Sequence, residues 1–256
     1  APSVPFKKGS DFVKQTHQQM NLSIIYEDSN LLVINKPYGL IVHKKNATDT
    51  QPALTDWVVN NYPELENIGE PFIASGTPVP RCGIVHRLDK DTSGLIIIAK
   101  NNNSFYFLKK QFQDHTIKKS YQSLVYGKPK KPSGIIDSPL GRIGMKRTTQ
   151  MVGKKLIDGK DSITEYKTIK SFAKFTLLDV MPKTGRTHQI RVHLKSIGCP
   201  ITGDTIYAPK DWKNPVGLDR LFLHAYKLQF TTPSGKSLTI ETDLPSDLQN
   251  VINTLE

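Results

Sequence analysis

Cysteine is almost missing from this chain, with two in 256 residues, Cys82 and Cys199. No Cys-x-x-Cys pair occurs, which argues against a zinc ribbon, a dithiol redox motif or a disulfide framework of the secreted kind. Two free thiols in a reducing compartment are expected. No run approaches the roughly 18 apolar residues of a membrane span, and the first twenty residues lack the apolar core of a signal peptide. The expectation is a soluble, cytoplasmic protein with no membrane partner, or an organellar one if a targeting segment once preceded Ala1. Also missing are the phosphate loop G-x-x-x-x-G-K-[ST], the dinucleotide glycine fingerprint, H-E-x-x-H and any His/Cys cluster at metal spacing. Neither cofactor nor metal is asked for, and His193 and His224 read as hydrogen-bonded structural residues.

Acidic residues are scarce in the middle of the chain. Overall, 35 Lys and Arg stand against 23 Asp and Glu, a net charge of +12. Residues 108 to 160 hold thirteen basic and three acidic residues, so nearly all the excess lies there. Charge concentrated in this way resembles the electrostatic footprint of a polyanion partner, whereas evenly spread charge would say little beyond solubility.

Residues 1 to 22 lack an apolar period and read as an arm or leader; residues 23 to 256 read as one domain. Ser23–Tyr26 and Leu31–Ile34, separated by the turn formers Glu27-Asp28-Ser29-Asn30, predict a hairpin. Leu54, Trp57 and Val58 predict a short helix stopped before Pro63, with Thr50 or Thr55 near its start. Residues 64 to 82 read as irregular. Leu95–Ala99 is a strand, and Phe105, Leu108 and Phe112 predict a helix capped within Asn101–Ser104, its aromatic face on the sheet. Tyr121–Gly127 is a strand following Lys118 and Lys119. The stretch 128 to 160, with Arg142, Lys146, Arg147, Lys154 and Lys155, reads as irregular or hairpin-forming surface. Strands resume at Ile163–Ile169 and Phe175–Val180. A helix with Thr187 as N-cap and Ile190, Leu194 and Ile197 as its buried stripe closes at Gly198. Leu221–Thr231 and Leu238–Thr242 flank the turn Pro233–Lys236, and Pro245 opens a last amphipathic helix. Many strands and few helices predict an α+β fold on a largely antiparallel, mixed sheet with flanking helices.

The densest stretch runs from Gly83 to Gly94, into Leu95–Ala99. Asp89 sits there in a short polar turn between apolar runs, flanked by Arg87 and Lys90. An isolated turn Asp most often caps its own turn. A catalytic Asp would need to be ionised and oriented: desolvation raises a carboxyl pKa, and a nearby arginine opposes that. Arg191, on a helix whose sequence also carries His188, is the best partner by type. Asp89-Lys90-Asp91 also has the D-x-D form of a haloacid-dehalogenase phosphotransferase. That fold, however, needs alternating β/α units and further acidic ligands, and the downstream chain is strand-rich and basic.

The stretch His86-Arg87-Leu88-Asp89-x-x-Thr92-Ser93-Gly94-Leu95 resembles the catalytic motif of the RluA-family pseudouridine synthases. Further blocks resemble that family in its order: Asn35-Lys36-Pro37-x-Gly39, Lys119-x-Tyr121, Thr184 to His193, Gly203-Asp204 and Leu223-His224-Ala225. Coverage is roughly residues 23 to 255. The resemblance implies the pseudouridine synthase fold and isomerisation of specific uridines in RNA without cofactor or metal; ribosomal RNA is the favoured substrate, transfer RNA the other, and a monomer is expected. Asp89 then corresponds to the catalytic aspartate, which either adds to C6 of the base or promotes cleavage of the glycosidic bond. Tyr121 corresponds to the tyrosine that stacks on the base and is a candidate for taking the C5 proton, and Arg191 to the arginine that pairs with the aspartate. Arg87 corresponds to a residue filling the space a flipped nucleotide vacates. His86, Lys119, Arg186, Thr187, His188 and Ile190 fall in the same blocks as substrate-binding candidates. Lys109, Lys118, Lys119, Arg142, Lys146, Arg147 and Arg186 are candidate phosphate contacts, which would make affinity salt dependent. Many relatives carry an N-terminal S4-type RNA-binding module, for which the 22 residues before Ser23 are too few. The competing expectation is an RNA-binding or RNA-chaperone protein that keeps the fold without turnover.

Overall fold

The computed structural model describes residues 20–46, 48–74, 76–143, 146–149 and 156–256. Most of the expected leader lies outside these residues, as do Lys154 and Lys155. Leu22, just before the first strand, is buried against the core.

Strands β1 (Ser23–Glu27) and β2 (Leu31–Lys36) form the expected antiparallel hairpin. The Asp28 carboxylate closes its turn by accepting the N–H groups of Asn30 and Leu31. Helix α1 (Leu54–Asn61) starts without a threonine cap: Ala53 is the N-cap, and the Asp56 carboxylate accepts the Ala53 N–H at 3.1 Å. The stretch expected to be irregular contains a 3-10 turn (Pro63–Leu65) and a small hairpin, β3 (Phe72–Ala74) with β4 (Thr77–Val79). After β5 (Ser93–Ala99), Asn101 caps α2 (Asn102–Gln113) by accepting the N–H of Ser104.

Strand β6 (Lys118–Tyr126) takes in both lysines expected to precede it, because its ladder with the strand Leu223–Thr231 begins at Lys118. The basic stretch is more ordered than its composition suggests. β7 (Ser133–Asp137) joins the main sheet, while β8 (Leu140–Ile143), β9 (Lys146–Thr149) and β10 (Ile157–Lys160) form a separate three-stranded sheet. Ile136 and Leu140 are buried, so this region is not purely surface. Then follow β11 (Ile163–Ser171), β12 (Phe175–Pro182), α3 (Gln189–Ser196), the hairpin of β13 (Leu223–Thr231) with β14 (Ser237–Glu241), and α4 (Ser246–Leu255), which Pro245 opens as expected.

The main sheet has nine strands in the order β1-β2-β5-β13-β6-β12-β11-β7, with β14 beside the far half of β13. Every pairing is antiparallel except β5 with β13, where Gly94 meets Ala225. Strands β2 and β5 bury both faces, which explains why their sequences are continuous apolar runs and not alternations. Leu32, Ile34, Ile96 and Ile98 pack with α1 on one side; Leu31, Val33, Leu95 and Ile97 pack with Phe105 and Leu108 of α2 on the other. The second half of the sheet packs Leu124, Leu178 and Val180 against α3 and α4. Tyr121 touches the cores of both halves, which places it at their junction.

Candidate active site

The loop carrying Asp89 is anchored from below and from behind. Lys36 is fully buried, and its ammonium donates to the carbonyls of Pro37, Leu40 and Lys90 at 2.8, 2.9 and 3.2 Å. Gly39 adds a backbone bond to the Lys90 carbonyl at 2.8 Å. Burial lowers the Lys36 pKa to about 7, with the charges of Asp91 and Asp89 pulling the other way. His86 holds the start of the loop: its Nε2 accepts the N–H of Ile97 at 2.9 Å and its ring stacks on Phe112 at 4.4 Å. Burial pushes His86 down to about 3, so the ring is neutral and its Nε2 is an acceptor. The turn itself is closed by the Asp89 carbonyl, which accepts the Thr92 N–H at 3.1 Å. Among the described residues, no N–H of the turn donates to the Asp89 carboxylate, so its side chain is not its own cap. Among the same residues, the nitrogen-bearing side chain it approaches within 4 Å is the His188 ring, with Nε2 to Oδ2 at 3.9 Å.

All ten residues singled out in the sequence line one cleft of about 630 Å³. The loop before β5 brings His86, Arg87 and Asp89; β6 brings Lys119 and Tyr121; the turn into α3 and its first residues bring Arg186, Thr187, His188, Ile190 and Arg191. Burial, helped by the negative charge of Asp89, raises the Tyr121 phenol, so the site holds a neutral hydroxyl. Burial lowers Lys119 to about 8, and its ammonium donates to the Thr184 carbonyl at 3.3 Å. Arg87 is exposed at the cleft.

Arg191 does not pair with Asp89. Its Nε and Nη2 donate to the two carboxylate oxygens of Asp204 at 2.8 and 2.7 Å, a buried bidentate pair. The geometry follows from the turn between α3 and β13: Asp204 also accepts the N–H groups of Ile206 and Tyr207, which fixes its carboxylate beside Arg191. Thr187 is likewise not the helix cap, because His188 occupies that position in a left-handed conformation, φ 59°. Gln189 does what a cap would do for this turn. Its side-chain oxygen accepts from Thr184 Oγ1 and the Arg186 N–H, and its amide donates to Ile163 O and Thr164 Oγ1. The motif residues 184–189 are thereby fastened to β11.

Of the expected phosphate contacts, Lys109 is paired with Glu70 and Arg142 with Asp158. A second cavity of about 380 Å³, lined by Arg142, Arg147 and Lys160, shares Gly185, Arg186 and Thr187 with the main cleft. Basic surface thus continues from the Asp89 cleft onto the three-stranded sheet. His193 is hydrogen-bonded through both ring nitrogens, to Thr164 and Ser138, and His224 through Nδ1 to Ser93. Reading the sequence missed Tyr207, whose hydroxyl meets His188 Nδ1 at 2.8 Å, and the carbonyl-binding role of Lys36. Tyr207 stands in an irregular stretch with no periodicity to mark it. For Lys36, a lysine interrupting a buried strand was a usable signal.

The chain is similar to known proteins over most of its length. Residues 30–196 match the family described as RNA pseudouridylate synthase. The chain is 40% identical over 249 residues to the ribosomal large subunit pseudouridine synthase D of Nitrosomonas europaea, covering 94% of this chain and 68% of the relative. It is 37% identical to an uncharacterised RNA pseudouridine synthase of Bacillus subtilis, covering 93% of this chain and 74% of that one. Among solved structures, human RNA pseudouridylate synthase domain containing 4 superposes with a TM-score of 0.71 at 27% identity, covering 91% of this chain and 92% of that one.

Proposed function

The chain belongs to the RluA family of RNA pseudouridine synthases, and we propose that it isomerises uridines of large-subunit ribosomal RNA, with Asp89 as the catalytic carboxylate. The carrying observation is that Asp89, Tyr121 and Arg191, far apart in sequence, line one cleft. Ribosomal over transfer RNA is favoured by the names of four relatives, each a ribosomal large subunit pseudouridine synthase D.

In the reaction the N1–C1′ bond breaks, a C5–C1′ bond forms, the C5 proton leaves and N1 gains a proton, so no atom is lost or added overall. A uridine inside folded RNA cannot present C1′ and C6 to a carboxylate, so it must leave its stack, at a cost of a few kcal/mol. Stacking on Tyr121 would offset about 1 to 3 kcal/mol of that. Arg87 is exposed at the cleft and would fill the vacated space. Asp89 acts either by adding to C6 or by assisting departure of the base from C1′. Tyr121 is neutral at working pH, so as the C5 base it would accept that proton while passing its own to Asp89. Arg191 acts at one remove, holding Asp204 and the Tyr207 turn beside His188.

Ribosomal and transfer RNA fractions carrying tritium at uridine C5 test the reading. Release of the label from ribosomal RNA in the presence of a chelator, and its loss in Asp89→Asn with RNA binding retained, is the expected result. No release from either fraction, or full release by Asp89→Asn, would overturn it; unchanged RNA binding without turnover would leave the RNA-chaperone alternative.

A further inference from the structure

The His188 ring has one nitrogen toward Asp89 and the other on Tyr207. Nε2 lies 3.9 Å from Asp89 Oδ2, and Nδ1 lies 2.8 Å from the Tyr207 hydroxyl. Tyr207 is held on three sides. It is buried against Leu140 and Val192, its N–H is fixed by Asp204, and the Arg191 guanidinium lies 5.1 Å from its ring centre. Its hydroxyl bonds His188. Nothing in the resemblance assigns Tyr207 a role.

A neutral imidazole carries its proton on one nitrogen, and the hydrogen bond made by the other selects which. We propose that Tyr207 is a positioning residue that donates its hydroxyl proton to His188 Nδ1, so that His188 carries its own proton on Nε2 and presents that N–H to the Asp89 carboxylate. The inference rests on the reading of Asp89 as the catalytic carboxylate. At 3.9 Å the N–H reaches Asp89 through one bridging water or by a small closure of the cleft. In the opposite tautomer an Nε2 lone pair would face the carboxylate and repel it, leaving Asp89 less well oriented for C6 or C1′.

The surroundings of His188 agree with a neutral ring. Asp89 and Asp204 favour its protonation, whereas Arg191 on α3 and Arg147 on β9 oppose it, and burial is the largest influence, so its pKa is lowered. Tyr207 is raised, mainly by burial, and so keeps the proton it donates. The left-handed backbone at His188 turns the side chain off the start of α3 toward the loop carrying Asp89.

The test uses the full chain with ¹⁵N-labelled histidine, the His188 signals being assigned by their loss in His188→Gln. The expected spectrum shows Nδ1 unprotonated and Nε2 protonated at neutral pH. Tyr207→Phe keeps the ring packing and removes the donor: the Nδ1–H tautomer should appear, and turnover on uridine RNA should fall roughly five- to tenfold, the size of one hydrogen bond, with RNA affinity unchanged. His188→Gln, which can place an amide N–H near the Nε2 position, should exceed His188→Ala in turnover; both substitutions meet the same left-handed backbone, so that cost largely cancels. An Nδ1–H tautomer in the unaltered protein, or Tyr207→Phe with tautomer and rate unchanged, overturns the proposal. Failure of the unaltered protein to make pseudouridine would instead overturn the proposed function, because the tautomer is read without turnover.

Discussion

Both oxygens of the Asp204 carboxylate are taken up by Arg191, at 2.8 and 2.7 Å, in a pair whose side chains are 3% and 0% exposed. The arginine that by residue type suits the Asp89 carboxylate is thus committed to a structural one, and it holds the turn that carries Tyr207 against α3.

Removing one partner from this pair should be costly, because the other is left as an uncompensated buried charge. Asp204→Ala should lose about 3 to 5 kcal/mol of stability. Arg191→Lys should lose a large part of that, since an ammonium cannot bond both oxygens in the same plane. Denaturant unfolding midpoints check this, and a loss below about 1 kcal/mol for Asp204→Ala would show the pair to be solvent-accessible in solution.

Tyr121→Phe separates stacking from proton transfer. The ring that would stack on the base remains, so RNA affinity should stay within about twofold while turnover falls by at least a hundredfold, the lower range for loss of a positioned acid–base group. Single-turnover kinetics with saturating enzyme distinguish the two effects. Unchanged turnover would remove Tyr121 from the proton pathway.

Acid should destabilise the fold well before the carboxylates titrate. Burial lowers His43 and His224 to about 4 and His86 to about 3. The unfolded chain binds protons at these sites below about pH 6.5, whereas the folded chain resists them. Stability is therefore fully present above that pH and declines as pH falls toward 4, at up to about 1.4 kcal/mol per pH unit for each histidine. Thermal melts between pH 7 and 4.5 measure the slope. A flat profile over that range would mean that water reaches these rings.

Gly94→Ala should disrupt the β5–β13 contact. Gly94 has φ +122°, and a Cβ there would lie 2.3 Å from the Ala225 carbonyl oxygen. Backbone strain alone amounts to about 1 to 3 kcal/mol, and relief of the clash must part the single parallel pair of the sheet. Expression, solubility and melting temperature report the effect. A melting temperature within a degree or two of the parent would show that the two strands can separate without cost.

Much of the fold was legible where local chemistry decides it. The hairpin at Asp28, the cap at Asn101, the hairpin of β13 with β14 and the helix after Pro245 each follow from a few neighbouring residues. Misreadings came where distant partners override local preference. Thr187 has the chemistry of a cap, yet the backbone turns at His188 because Gln189 is tied to Ile163 and Thr164 across the sheet. Likewise, the glycine- and lysine-rich stretch after Tyr126 forms strands because β11 supplies the pairing for β7.

The sequence by itself determined the class of fold and the two runs that form the doubly buried strands, since periodicity, turn chemistry and residue type are local properties; the ten candidate site residues came from the blocks that resemble the RluA family. Only the tertiary structure decided who pairs with whom: Arg191 with Asp204, His188 between Asp89 and Tyr207, and Lys36 beneath the Asp89 turn. Such pairings depend on directions and distances of a few ångströms between segments far apart in the chain, and these are set when the two halves of the sheet close around Tyr121.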